Sequence, residues 1–373
     1  MGPDSIIFYY MNIGIDIKAF KNGATGISKY IRRLLDALQQ IDPVNRYYLF
    51  ECRESDYAPV NPNWKKITQN SRLPGTVWMQ TALPKLIKKY KIDLFWAPEQ
   101  LCPVFGMPRN VKVATTVHDF TYRRFPETCM MSVRLVNKLF MGPTVKKSDA
   151  IFLMSDCMKK ELLEFYPRAR STQKIIHTVY SCVTAPGAEM PDVPRENFLF
   201  FPGNLEPRKN LARVIKALEI VNESGIDTGF HMCGPKGWKN TDFHRQIESS
   251  PIKDRIKHLG FLSDEEVRDQ YLRCRAVIFP SIYEGFGLPV LEALMMNTPV
   301  ITSKGSSMEE IAGTSAVYCD PYNVNSIAEA IIAFMKTGGP PINRYGLKRY
   351  INKQSAENLL KLFGQIVSGK SQT

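Results

Sequence analysis

Residues 283–292 read Tyr-Glu-Gly-Phe-Gly-Leu-Pro-Val-Leu-Glu, which sets two carboxylates, Glu284 and Glu292, eight positions apart across a glycine-rich turn. A carboxylate accepts hydrogen bonds side by side, so it suits the paired hydroxyls of a sugar or a ribose. Gly285 and Gly287 carry no side chain and let the backbone come close to a ligand. Residues 204–209, Asn-Leu-Glu-Pro-Arg-Lys, supply the opposite charge. The adjacent cations Arg208 and Lys209 suit a diphosphate and the negative charge that grows as one departs. Together these residue types fit a ligand that is part sugar and part phosphate. On spacing alone, the first stretch is also an ordinary glycine loop entering a helix with an acidic first turn, and the basic pair is also a solvated charge cluster.

Both stretches need the same kind of support. Residues 275–281 (RAVIFPS) are apolar and β-branched, as in a buried strand, and residues 290–296 are good helix formers with Pro289 just ahead of them. Residues 197–203 (NFLFFPG) read as a second buried strand, followed by the helical stripe Leu211, Val214, Ile215 and Leu218 with Asn210 as its cap. Each cluster therefore falls at the carboxyl end of a strand and the amino end of a helix, where open α/β sheets bind ligands and helix dipoles favour phosphate. Glu284 is expected in the turn and Glu292 in the first helical turn, both facing one ligand.

The same alternation runs through the chain. Strand-like stretches at 13–17, 93–97, 112–117 and 150–154 alternate with helical patterns, and the alternation resumes after the Pro-rich stretch 183–197. With 373 residues and 44% hydrophobic content, two substantial cores can form. The predicted class is α/β, with two doubly wound Rossmann-like domains. No GxGxxG fingerprint is present, which argues against a dehydrogenase.

At this point the chain resembles the retaining glycosyltransferases of family 4, which have the GT-B architecture. The resemblance spans residue 11 to about residue 367 and is carried by 11–16 (MNIGID), 25–30 (TGISKY), 117–119 (VHD), 203–211 (GNLEPRKNL), 234–238 (GPKGW), 284–292 (EGFGLPVLE), 298–303 (TPVITS) and 306–313 (SSMEEIAG). It is most similar to the branch that includes many bacterial mannosyltransferases of surface polysaccharide assembly. The resemblance implies an acceptor-binding domain over 1–185, a donor-binding domain over 186–345 facing it across a cleft, and a last helix, 346–373, that returns to the first domain. It implies a nucleotide-sugar donor, GDP-mannose above others, and a glycan or lipid-linked acceptor.

Roles carry over residue by residue. Arg208 and Lys209 match the pair that contacts the donor diphosphate, Glu284 the carboxylate that meets the donor sugar, and Glu292 the one that grips the ribose. Backbone N–H groups of Phe286, Gly287 and Leu288 complete the cradle, and Gly203 and Asn204 lie in the donor-binding loop. Gly23 and Gly26 fall in a loop that closes over phosphates and acceptor, while His118 and Asp119 lie near the transferred sugar. The implied reaction is same-face substitution: the leaving phosphate, stabilised by Arg208 and Lys209, helps deprotonate the attacking hydroxyl while His118 and Glu284 fix the sugar. Residues 350–356 (YINKQSA) replace the family's aromatic Phe-Ser-Trp pattern, which leaves the packing of the last helix open.

Two alternatives stand beside this reading. One keeps the enzyme class but uses a UDP-linked glucose, galactose or N-acetylhexosamine, because residues 258–263 would read the base mainly through backbone. The other is a catalytically silent GT-B partner or sugar-nucleotide-binding subunit. Its usual mark is loss of the basic pair or the first glutamate, and both are present. There is no Asp-x-Asp, Cys-x-x-Cys or His-x-x-x-His, so neither metal nor other cofactor is expected.

Charge is unevenly shared. The net charge is +13, with Lys plus Arg against Asp plus Glu at 27 to 16 over residues 1–190 and 22 to 20 beyond. The basic half points to an anionic acceptor or an acidic membrane face. Residues 78–91 offer one contact, with Met79, Leu83, Leu86, Ile87 and Tyr90 beside Lys85, Lys88, Lys89 and Lys91, although the same stripe suits a core helix with a solvated far side. Arg123, Arg124, Arg134 and Lys138 add to either picture. Interleaved aromatics and nucleic-acid-binding motifs are lacking, which argues against DNA or RNA. No apolar run reaches about 18 residues, and residues 1–10 lack the features of a signal peptide. The eight cysteines are spread evenly, as in a reduced protein. The expected location is cytoplasmic, at most peripheral at the inner face of the cell membrane.

Overall fold

Two all-parallel sheets organise the computed structural model, which describes residues 10–22, 25–170, 174–180, 183, 193–235 and 241–369. The chain divides into two compact units, Met1–Thr184 with Arg349–Thr373, and Ala185–Lys348. The first sheet contains β1 (Asn12–Asp16), β2 (Arg46–Glu51), β3 (Trp64–Thr68), β4 (Leu94–Ala97), β5 (Lys112–Val117), β6 (Ala150–Leu153) and β7 (Ile175–Thr178), in the order β3-β2-β1-β4-β5-β6-β7. The second contains β8 (Glu196–Pro202), β9 (Gly229–Cys233), β10 (Ile256–His258), β11 (Cys274–Phe279), β12 (Val300–Ser303) and β13 (Val317–Cys319), in the order β10-β9-β8-β11-β12-β13. Parallel strands covered on both faces should be apolar throughout, and β4 (LFWA) and β6 (AIFL) are buried at every position.

In each sheet the winding reverses once, between β1 and β4 and between β8 and β11. Loops leaving the carboxyl ends of neighbouring strands diverge there and leave a crevice. These four strand ends govern where function can sit.

The last helix, Asn352–Ser368, belongs to the first unit and packs on Gly26–Ile41. Phe363 is fully buried there, with ring centroids 5.8 Å from Trp96 and 6.4 Å from Phe152. At its entry Tyr350 is buried edge-on against Tyr180, 4.9 Å away, and Ile351 bridges to Val183. Tyr350 thus supplies the aromatic anchor where the sequence departs from the family's pattern.

Residues 78–91 do not form one surface helix. They lie in Gly75–Thr81 and Leu83–Lys89, which meet at Ala82, with Trp78, Met79, Leu83 and Ile87 buried and Lys85, Lys88 and Lys89 exposed. The apolar stripe faces the core, so this is the core-helix reading and not a bilayer contact. No disulfide joins the described cysteines, and Cys182 lies outside the described residues. Among the described residues no helix is long and apolar enough to cross a membrane.

Truncating Phe363 to Ala removes a buried ring from the seam between the last helix and the first sheet, an expected loss of about 3–5 kcal/mol. Hydrogen exchange should then show residues 352–368 losing protection before the second unit does; unchanged protection would contradict the packing role.

Candidate functional site

At the end of β8 the backbone turns through Gly203 (φ +134°), whose N–H donates to the Cys233 carbonyl at 3.0 Å. Gly234, at the end of β9, faces it so closely that a Cβ there would sit 2.4 Å from the Gly203 oxygen. Only glycine at 234 lets the two strand-end loops touch. Asn204 follows on the surface, and a short 3-10 turn, Pro207–Lys209, presents the two cations. The Ile282 N–H donates to the Arg208 carbonyl at 2.9 Å, which fastens this turn to the loop after β11.

Across that seam the charges meet. Glu284 Oε2 lies 2.7 Å from Arg208 Nη1 and Oε1 lies 2.6 Å from Lys209 Nζ. Arg208 also pairs with Glu206 at 3.0 Å and donates to the Tyr283 carbonyl at 3.2 Å, and the Lys209 ammonium sits 4.6 Å over the Phe279 ring. The Glu284 and Lys209 side chains are each only 10% exposed. Burial alone would raise the Glu284 carboxyl, but Arg208 and Lys209 hold it down to about 2. The carboxylate therefore remains ionised and keeps both cation heads fixed at the strand ends.

Asn210 starts the helix Leu211–Glu223 in a left-handed conformation (φ +68°), but its side chain makes no helix cap. Its amide instead donates to the carbonyls of Pro280 (3.0 Å) and Pro321 (2.7 Å), tying three loops of the second sheet together. Helix Leu288–Met295 starts after Gly287 (φ +117°), where a Cβ would meet Met308 Cγ at 2.7 Å. Phe286 is buried and Leu288 opens the helix, in which the Val290 and Leu291 N–H groups donate to the Gly287 carbonyl at 3.0 and 3.3 Å. Glu292 does not lie in the first helical turn, as expected, but one turn in, where it accepts from the Tyr271 hydroxyl at 3.1 Å. Glu284, Arg208 and Lys209 form one cluster; Glu292 stands apart from it on its own helix.

The first unit holds a cavity of about 510 Å³ lined by Lys18, Glu99, Gln100, His118, Asp119, Tyr122 and the helix Met131–Lys147. His118 is half-buried after β5, edge-on to Tyr30 at 5.4 Å. Its Nε2 lies 2.6 Å from the Pro98 carbonyl, an acceptor only, so Nε2 bears the proton and Nδ1 keeps its lone pair. Burial lowers its pKa below the ordinary 6.5 and keeps the ring neutral at pH 7. Gln100, itself left-handed (φ +59°), accepts from the His118 N–H and donates to the Asp119 carbonyl, both at 2.9 Å. Asp119 Oδ1 accepts from the Thr121 N–H at 2.9 Å, closing the turn. Gly26 opens helix Gly26–Ile41, and a side chain there would meet nothing within 4 Å; Gly23 lies outside the described residues.

Sequence reasoning missed Asp16, Lys18 and Glu99. Lys18, buried, lies 2.7 Å from Asp16 and 2.8 Å from Glu99, and these carboxylates overcome the effect of burial to hold the ammonium charged. Their signal was present: Lys18 and Glu99 each follow, by two positions, a strand that flanks the reversal in winding.

Two parallel-sheet Rossmann-like halves have the architecture of GT-B glycosyltransferases. Sucrose-phosphate synthase from Thermosynechococcus elongatus shares this fold, with a TM-score of 0.76 over 96% of this chain and all of that one, at 16% identity. Residues 190–354, most of them in the second unit, match the family described as glycosyl transferases group 1, so the chain contains a group 1 glycosyltransferase domain. Its relatives include O-antigen chain mannosyltransferase B of Escherichia coli, 26% identical over 86% of this chain and 90% of the relative. RfbU, an O-antigen chain mannosyltransferase of Salmonella typhimurium, is 25% identical over 85% and 89%.

The Glu284 shift gives an acid signature. Its folded value, about 2, lies below the ordinary 4.5, so its stabilisation is complete above pH 4.5 and fades as pH falls through about 2. The amount is about 3 kcal/mol. Glu284→Gln should lower stability at pH 7 by about 3 kcal/mol, because buried Lys209 loses its counter-charge and half-buried Arg208 loses one of two, and its melting temperature should fall less steeply than that of the wild type between pH 4.5 and 2.5. Parallel acid profiles would refute the ion cluster.

Proposed function

We propose that this enzyme transfers mannose from GDP-mannose to a glycan or lipid-linked oligosaccharide acceptor in surface polysaccharide assembly, with retention of anomeric configuration and no metal. The observation that carries the proposal is the Arg208–Lys209–Glu284 cluster at the strand reversal of a group 1 domain. The donor assignment draws support from the O-antigen mannosyltransferases that match most of the chain.

In this reading Arg208 and Lys209 take up the donor diphosphate, Glu284 orients the sugar and the cations beside it, and Glu292 binds the ribose hydroxyls. Phe286, Gly287 and Leu288 offer backbone N–H groups to the phosphates, and Gly203 and Asn204 shape the loop beside them. The bond from C1 to the diphosphate oxygen breaks as the acceptor oxygen bonds to C1 on the same face, and the departing phosphate oxygen takes the acceptor's proton. His118, neutral and anchored through Nε2, offers Nδ1 to a sugar hydroxyl, and Asp119 holds its turn. The basic pair carries the leaving-group charge that a metal carries in other transferases.

Thermal stabilisation with GDP, UDP, ADP and their sugar conjugates tests the donor. GDP and GDP-mannose should raise the melting temperature, and Arg208→Ala and Glu292→Ala should abolish the rise. A shift with uridine nucleotides alone would replace the donor, and no shift with any nucleotide would leave a silent partner. In turnover assays Arg208→Ala should lower kcat by about 10²–10³-fold with little change in acceptor KM, because charge develops on the diphosphate only as the bond breaks. EDTA should leave the rate unchanged, and an inverted anomer in the product would overturn the same-face mechanism.

A further inference from the structure

Helix Met131–Lys147 carries an uncovered apolar ridge. Met131, Leu135 and Leu139 are 75%, 56% and 59% exposed, and Met130, just before the helix, is 51% exposed. Residues spaced by four lie one above another on a helix, so 131, 135 and 139 form a continuous row, with Arg134 and Lys138 beside it. Isolated exposed leucines are ordinary, whereas a row of large apolar side chains marks a surface made to be covered.

The charge says what covers it. From Thr128 to Ser148 the chain has no Asp or Glu, while Arg134, Lys138, Lys146 and Lys147 supply four cations within this one helix. A basic helix that exposes large apolar side chains fits the boundary between headgroups and acyl chains of an anionic bilayer. Ser132, Val133, Val136 and Asn137, on the neighbouring side of the helix, line the cavity that holds His118. The ridge and the cavity thus share one wall.

We infer that this ridge docks the first unit on an anionic lipid surface. Met131, Leu135 and Leu139 enter the interface, Arg134 and Lys138 meet lipid phosphates, and the His118 cavity receives an acceptor carried on lipid. The acceptor half rests on the proposed glycosyl transfer; the docking half does not.

Sedimentation of the full chain with vesicles separates the two. The wild type should bind vesicles of phosphatidylglycerol mixed with phosphatidylcholine, bind pure phosphatidylcholine far less, and dissociate as salt rises. Met131→Gln with Leu135→Gln and Leu139→Gln should weaken binding by roughly tenfold or more, as should Arg134→Gln with Lys138→Gln. Both sets should keep the wild-type melting temperature and nucleotide shift, which shows that the fold is intact. Absent binding, or equal binding by all variants, overturns the inference. So does light scattering that shows a wild-type dimer broken by the ridge variants, since a second copy would then be the cover. Vesicle binding without any nucleotide shift would keep the docking and sink the glycosyl transfer.

Discussion

Glu284 holds two cations that would otherwise repel each other, and the second unit is arranged to let it do so. Arg208 and Lys209 stand 2.7 and 2.6 Å from one carboxylate because β8 and β11 are hydrogen-bonded neighbours whose following loops are joined by the Ile282 to Arg208 backbone bond. A charge group this buried is tolerated only with good geometry and few unmet partners. Glu206, the Tyr283 carbonyl and the Phe279 ring meet that need. The cation heads are therefore held in place by the fold itself, which in the proposed reading lowers the ordering cost of binding the donor diphosphate.

The first unit repeats the device with other residues. Lys18 follows β1 and Glu99 follows β4, and they pair at 2.8 Å across the reversal of the first sheet, as Lys209 and Glu284 pair across that of the second. Asp16 adds a second carboxylate to Lys18, where Arg208 adds a second cation to Glu284. The first cluster sets two carboxylates on one ammonium, whereas in the second Glu206 joins Glu284 so that two carboxylates face two cations.

Much of this was legible in residue order. Glycines and prolines punctuate the strand-to-helix turns at 203–211 and 284–292, and the apolar runs before them are the strands β8 and β11. The pairing of Glu284 with Arg208 and Lys209 was not legible, because the partners lie about 75 residues apart and meet only through strand adjacency. Asn210 reads as a cap by type, but its left-handed backbone turns its amide toward two proline carbonyls, a tertiary choice that local propensity does not contain. The exposed ridge of Met131–Lys147 was not legible for a related reason. Residues 78–91 show a clean apolar stripe because they face a core, whereas Met131–Lys147 is apolar on more than one side, with Met141 and Val145 buried and Leu135 and Leu139 exposed. A helix that meets both a core and a second apolar environment loses the contrast that makes a stripe visible.

The place of the last helix also sets an order of birth. Residues 349–373 complete the first unit, yet they leave the ribosome after all of 185–348. The second unit can fold as soon as its own residues have emerged, while the first must wait, with the seats of Tyr350 and Phe363 open to water, until residues 352–368 have followed. The unit that holds β1 is therefore finished after the unit that follows it, and a stop codon just before residue 349 would release a chain whose second unit is complete and whose first has an unfilled core.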